Sequence, residues 1–331
     1  LVPSRNEAQV IERRLVNLVA ATWPATLGGA HRILVVDDGS SDGTAGIARE
    51  FLAAGGAAAA GLACEVISNV HAPGKSGAMR AGLERLGEDV DIVVLTDADV
   101  LTDPGALVAI AEAFYAEPAL GMVCGVQSLH ERLPEDGRTP LGEGGMGLYD
   151  SWTRGVRRAE SRAGRLFSVH GQLLAWRTEL GLTPSVLAAD DLELMLELRQ
   201  RYPERTVRMI EGARFHEERS SASEEQDLRR ARAYMQALPL MARREYGLQG
   251  WFYRNIPPRA PALALLGLAL LGLVAWWFGG GVGVFGSALC VLLGLTSPSL
   301  RRLVQLLWVI ERARRLEGTS SASAVWETAR A

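Results

Sequence analysis

Ile33-Leu34-Val35-Val36-Asp37-Asp38-Gly39-Ser40-Ser41-Asp42-Gly43-Thr44 is an apolar run that passes straight into two carboxylates and a glycine-rich turn. The design returns downstream, where Ile92-Val93-Val94-Leu95-Thr96 delivers Asp97-Ala98-Asp99. Consecutive β-branched and leucine residues predict a strand buried on both faces, and ligands of such α/β sheets collect at the carboxyl ends of the strands. Two acidic strand ends therefore predict one crevice. Carboxylates there accept hydrogen bonds from a base or ribose, and they also hold a hard divalent cation against phosphate oxygens. Singly, neither motif is specific: Asp-Asp-Gly also suits a plain turn, and Asp-x-Asp recurs in acidic loops.

Around these strands the chain alternates. Val10, Ile11, Leu15, Leu18 and Val19 recur at helical spacing and predict a helix over 7–21. After the strand at 33–36 come a helix over 44–54, a low-complexity loop at 55–61, a strand at 64–68, a helix beginning near Ser76, and the strand at 92–96. Strand alternating with helix predicts an α/β fold with a mostly parallel, doubly wound sheet. Gly74-Lys75-Ser76-Gly77 stands before a helix, where free N–H groups and the helix dipole favour anions; a solvated lysine on a surface turn is the plain alternative. Asp190-Asp191 opens a further helix whose apolar face carries Leu194, Met195 and Leu198, and either acid there serves as a cap. The segment 138–165, rich in glycine and arginine with Tyr149 and Trp152, yields no secure element.

Pro3 with Asn6-Glu7, residues 36–44, Gly74-Lys75 with Ala78 and Gly82, and Asp97-Ala98-Asp99 follow one another in order. Gly171-Gln172 with Arg177, Asp190-Asp191-Leu192-Glu193-Leu194, and Gln226 with Arg229-Arg230 continue the series. Over 1–235 this series resembles the inverting family-2 glycosyltransferases, whose GT-A fold is Rossmann-like. The resemblance implies a nucleotide-sugar donor, with a UDP-sugar favoured over a GDP-sugar. It implies that Asp38 accepts from the uracil N–H, that Pro3 and Glu7 shape the base and ribose pocket, and that Lys75 and Asp97 engage the donor. Asp99 with Asp97 would hold Mg2+ or Mn2+ against the diphosphate, offsetting charge on the departing nucleotide. An inverting displacement needs a base for the acceptor hydroxyl, and Asp191 fills that position, leaving Asp190 as cap at the acceptor side. Gln226, Arg229 and Arg230 would lie on the diphosphate, although Arg230 stands where chain-elongating relatives carry Trp. Trp152 is an acceptor-stacking candidate; His170 and His216 read as structural.

Composition bounds the rest. The 331 residues suffice for a domain of about 230 residues and something smaller. A net charge of −3 gives no electrostatic reason for a nucleic-acid partner, and 48% hydrophobic residues exclude wholesale disorder. Cys64, Cys124 and Cys290 show neither metal spacing nor a disulfide framework. Leu1-Val2 precedes Pro3 without an initiating Met, so the first strand is expected to be cut short.

Residues 260–278 carry no charge, and a second apolar run covers 282–295 after Gly279-Gly280-Gly281. The first approaches the roughly 20 residues that cross a bilayer core, so the expectation is a transmembrane hairpin over 260–296 behind a connector at 236–259. Residues 297–317 read as an interfacial or third membrane helix, and 318–331 as a disordered tail. Arg243, Arg244, Arg254 and Arg259 before the hairpin and Arg301-Arg302 after it place both ends in the cytoplasm. Catalytic domain and C-terminal transmembrane helices together imply a multi-pass protein of a bacterial inner membrane, transferring sugar to a lipid-linked or glycan acceptor of the cell envelope or an exopolysaccharide. Alternatives are a polyprenyl-phosphate glycosyltransferase and a non-enzymatic membrane scaffold. The sequence names no protein partner.

Overall fold

The computed structural model describes residues 1–24, 31–55, 60–145, 148–184, 190–219, 224–242, 246–294 and 298–316. The chain forms two compact units, Leu1–Ser221 and Ala222–Ala322.

In the first unit, β1 (Val2–Ser4), β2 (Arg32–Asp37) and β3 (Ala63–Ser68) make an all-parallel sheet in that order, with Val35 opposite both Val2 and Val66. A second sheet runs in the order β4 (Ile92–Thr96), β7 (Leu173–Arg177), β6 (Leu120–His130), β8 (Thr206–Glu218), β5 (Leu101–Thr102). Leu1 links the two through its main chain, which bonds to Val94 and Thr96 at 2.8 and 3.0 Å.

The α/β class is as the alternation predicts, and the second sheet is mixed. Its β6–β8 pair is parallel, while β7 runs antiparallel to both neighbours and β5 antiparallel to β8. Residues 97–100 are too few for the crossover that parallel neighbours need, so β5 pairs elsewhere.

Helices α1 (Ile11–Ala20), α2 (Thr44–Ala53), α3 (Lys75–Leu86), α4 (Ala106–Ala116), α5 (Leu148–Arg162) and α6 (Asp190–Arg201) complete the unit. The first begins later than its apolar period suggests, because the Glu7 carbonyl accepts from the Val10 and Ile11 N–H groups in a preceding turn. One core gathers Val2, Ile11, Leu15, Ile33, Val35 and Ala48, and another gathers Ile110, Phe114, Val123, Leu173 and Phe215. Each large apolar side chain so buried contributes about 1.5–3 kcal/mol. Trp176, on β7, is core as well, at 1% exposure.

The second unit is helical: α7 (Glu224–Ala237), α8 (Gly247–Asn255), a 3-10 turn at Pro257–Arg259, α9 (Ala260–Gly294) and α10 (Pro298–Leu316). The long α9 breaks at Gly280, whose φ of 56° is open to glycine and costly to other residues, inside the glycine run that separates the two apolar stretches. Among the described residues one segment, Gly247–Gly281, is long and apolar enough to cross a bilayer. None of its most apolar window is buried, unlike the core helix of a soluble protein. That measure does not support the expected second crossing.

Candidate active site

The first strand ends are braced by side chains of the turns themselves. Asn6, at φ 52°, accepts from the Ser41 N–H at 2.8 Å, and its own N–H donates to Ser40 Oγ at 3.0 Å. The Glu7 N–H donates to Thr44 Oγ1 at 2.8 Å and the Ala8 N–H to Asp42 Oδ2 at 2.9 Å. Pro3, in β1 opposite Val36, therefore leads into a loop stitched to the turn after β2. Asp38 is enclosed: Arg5 Nη1 (3.1 Å), Asn69 Nδ2 (2.6 Å) and the Gly74 N–H (2.8 Å) all donate to its carboxylate. Its side chain is 2% exposed. Gly74 meets this carboxylate at φ 128°, and Gly77 packs so closely that a Cβ would fall 1.9 Å from the Ala72 carbonyl oxygen.

At the end of β4 the surroundings are cationic. Lys75, the first residue of α3, donates to Asp97 Oδ1 at 2.6 Å. Arg14, fully buried on α1, donates to Thr96 Oγ1 at 2.6 Å and to Asn17 Oδ1 at 2.6 Å. Burial pushes its guanidinium down to about 9, against the upward pull of Asp97 and then Asp99. Among the described residues no three His, Cys, Asp or Glu side chains gather as a metal cage. Two carboxylates flanking one residue nonetheless fit Mg2+ or Mn2+, since such ions commonly take one or two protein carboxylates and complete their shell from phosphate and water.

Asp191 stands in the first turn of α6. Its Oδ2 accepts from the Gly171 N–H at 3.1 Å and its Oδ1 from the Leu192 N–H at 2.8 Å. Gly171 allows this approach, because a Cβ there would lie 3.3 Å from the Asp191 side chain. The next residue, Gln172, offers its carbonyl to Thr96 Oγ1 at 2.9 Å, so two hydrogen bonds and one peptide tie the end of β4 to Asp191. Beside them Arg157, from α5, donates to His170 Nε2 and, at 2.9 Å, to Ser168 Oγ. Burial first, and the Arg157 charge second, hold His170 well below its ordinary value, so the ring is neutral. Burial likewise pushes the nearby Cys124 thiol up to about 11, and it is inert as a nucleophile.

Residues 1–161 match the family model described as Glycosyl transferase family 2. Residues 1–161 thus carry a family-2 glycosyltransferase domain, and the protein is an enzyme of the glycosyltransferase class. Among solved structures, the mannosyltransferase PcManGT from Pyrobaculum calidifontis, in complex with GDP-Man and Mn2+, superposes with a TM-score of 0.70. It is 22% identical, and the likeness covers 95% of this chain and 85% of that one. Glucosyl-3-phosphoglycerate synthase from Mycobacterium tuberculosis, in complex with Mg2+ and UDP, is 17% identical at a TM-score of 0.43, over 72% of this chain and 77% of that one. No curated protein sequence matches.

Asp38, Lys75, Asp97 and Asp99, within the matched residues, and Asp191, beyond them, all lie at or just past strand or helix ends of the first unit. Trp152 is on α5, 64% exposed. Arg229 and Arg230 are on α7 of the second unit. The side chains of Asp190 and Gln226 lie outside the described set, although both backbones are helical. Arg177 donates to the Phe114 and Leu120 carbonyls and serves packing. His216 has both ring nitrogens engaged, by Asp103 at 2.7 Å and His130 at 2.9 Å. Sequence reasoning missed Arg5, Arg14, Asn69 and Arg157. Only Arg14 had a legible signal, as a cation inside the stripe Ile11, Leu15, Leu18.

Proposed function

We propose that the protein is a membrane-bound inverting glycosyltransferase that moves a sugar from a nucleotide-sugar donor, a UDP-sugar in the first instance, to a glycolipid or cell-envelope glycan. The observation that carries the reading is the two-bond tie between the end of β4, where Asp97 and Asp99 stand, and Asp191. It holds the carboxylate pair Asp97 and Asp99 and the carboxylate of Asp191 under one local constraint, which supports the reading because an inverting displacement needs donor and base fixed together.

Pro3, Glu7 and Asp38 would border the base and ribose. Asp38 already serves three donors, so one of about four lone-pair sites remains for a ligand N–H. Lys75 would exchange part of its hold on Asp97 for the diphosphate. Asp97 and Asp99 would hold Mg2+ or Mn2+, which neutralises charge on the leaving nucleotide when bound. Asp191, with one backbone N–H on each oxygen, is fixed in direction and keeps lone pairs for the acceptor hydroxyl proton. Gln226, Arg229 and Arg230 are assigned to the diphosphate and Asp190 and Trp152 to the acceptor side. The apolar, exposed Gly247–Gly281 segment supports attachment to a bilayer, and the flanking arginines favour a cytoplasmic catalytic unit.

Nucleotide release from a panel of UDP- and GDP-sugars, measured in native-lipid membranes with Mg2+, Mn2+ or EDTA, tests this reading. Release from one donor, lost with EDTA and in Asp191→Asn, is the expected result. Turnover undiminished in Asp191→Asn would remove that residue as base, and hydrolysis of no donor would reject the transferase assignment for this chain.

A further inference from the structure

The second unit holds a cavity of about 510 Å³ lined by none of the residues proposed above for the transfer reaction. Met235, Leu238, Pro239 and Pro258 line it with apolar surface, and Arg254, Arg259 and Arg314 line it with charge. Asn255 is the remaining lining residue, and among the described residues no acidic side chain lines the wall.

Two of the arginines are held in place by their own neighbours. Arg259 Nη1 donates to the Asn255 carbonyl at 3.1 Å and to Asn255 Oδ1 at 2.9 Å, and Arg314 pairs with Glu311 through Nε and Nη2 at 3.0 and 2.9 Å. Arg254 is exposed, with no hydrogen bond or ion pair to the other described residues. Three guanidinium groups around an apolar floor form a poor site for a soluble polar anion and a good one for a phosphate that carries hydrocarbon.

Position narrows the occupant. Arg254 and Arg259 lie at the amino-terminal end of the apolar helix, with Trp251 and Phe252 exposed one turn earlier. Aromatic rings of this kind mark the level of lipid headgroups, and the exposed Leu265 and Leu266 further along the helix offer a flank for acyl chains. We infer that this cavity binds the phosphate of an anionic phospholipid, so that a lipid of the surrounding bilayer becomes part of the base of the apolar helix. The inference rests on the membrane reading above and adds to it a specific lipid site. Arginine pockets at the cytoplasmic ends of spans recognise headgroups by the same electrostatics.

The full chain, reconstituted in phosphatidylcholine discs with or without phosphatidylglycerol, supplies the test, with retained lipid counted by mass spectrometry after detergent exchange. Phosphatidylglycerol should be retained over phosphatidylcholine. Arg254→Gln and Arg259→Gln should each weaken retention about fivefold, the fold-change equal to about 1 kcal/mol per cationic side chain at a membrane surface. Arg254→Lys should restore most of it, and Arg301→Gln, at an exposed arginine outside the cavity, should change nothing. Equal retention of both lipids, or retention indifferent to Arg254→Gln and Arg259→Gln in discs of normal yield, overturns the site. Full displacement by millimolar inorganic phosphate also overturns it, in favour of a free-anion site. A chain that enters discs of neither composition refutes the membrane reading itself, whereas one that enters them and keeps no phosphatidylglycerol refutes only the cavity.

Discussion

Asp38, at the end of β2, is enclosed by three donors of its own protein, whereas Asp97 and Asp99, at the end of β4, stand in the field of Lys75 and of buried Arg14. The sequence writes both ends alike, as an apolar strand followed by two acids. The Asp38 carboxylate holds three loops together and keeps one lone-pair site free; the other pair sits among cations that a ligand can share. Similar local patterns can thus end in a carboxylate that is mostly engaged at one strand end and in a pair surrounded by cations at the next.

The widest separation of the two should come from Asp99→Asn. If Asp99 has the proposed place against the diphosphate, loss of its charge is expected to cost about 10²–10³-fold in kcat with little change in melting temperature, and to abolish the response to Mn2+. Retained metal response would move the cation elsewhere. Asp38→Asn should instead show its main effect in stability. Its amide keeps one acceptor oxygen and turns an NH2 group against either Asn69 or the Arg5 and Gly74 pair, so stability should fall by about 1–3 kcal/mol, seen as a lower melting temperature. A variant as stable as the parent would show that the three bonds are not a brace.

Arg14 sharpens the contrast further. Its burial outweighs the attraction of both aspartates, which is why the guanidinium is pushed down to about 9. A buried cation removed alone strands the groups it bonds, here Thr96 Oγ1 and Asn17 Oδ1. Arg14→Met is therefore expected to melt below the parent, by about 1–3 kcal/mol of stability, while binding of the anionic nucleotide weakens about tenfold, a change worth about 1.4 kcal/mol. Both quantities are measurable by calorimetry, and an unchanged melting temperature would show that no buried group depends on Arg14.

How far the sequence revealed this arrangement depends on distance along the chain. The strands at 33–36 and 92–96, the helix onset at Lys75 and the helix at Asp190 follow from period and turn chemistry, which act over a few residues. The antiparallel β7 and the use of β5 as an edge depend on which strands meet in space, and no local pattern encodes that. Asn69 reaching Asp38 spans 31 positions and Arg157 reaching His170 crosses from a helix the sequence left unassigned. Arg14 differs, because a cation within an apolar stripe is itself a warning that something buried must receive it. The second apolar run follows the glycine break at 280, and among the described residues one segment, Gly247–Gly281, is long and apolar enough to cross a bilayer.

The smallest expected effect concerns the bed of Asp191 and appears only on acidification. His170 accepts from Arg157 through Nε2, which requires the neutral ring with its proton on Nδ1. The folded state therefore resists protonation that the unfolded chain accepts below the ordinary value of 6.5. More protons bound by the unfolded chain means that stability rises with pH in that window, so it falls as pH drops below 6.5, by at most about 1.4 kcal/mol per pH unit. His130 is pushed down too, by burial and by His216, and adds a slope of the same sign. The comparison that isolates His170 is thus between the parent and His170→Gln, whose amide oxygen still accepts from Arg157 and does not titrate. Melting temperatures taken from pH 7 down to about 5.5 should converge or cross as the parent loses stability faster. Parallel curves would mean that His170 gains its proton in the folded protein, and that Arg157 turns away from it to let this happen.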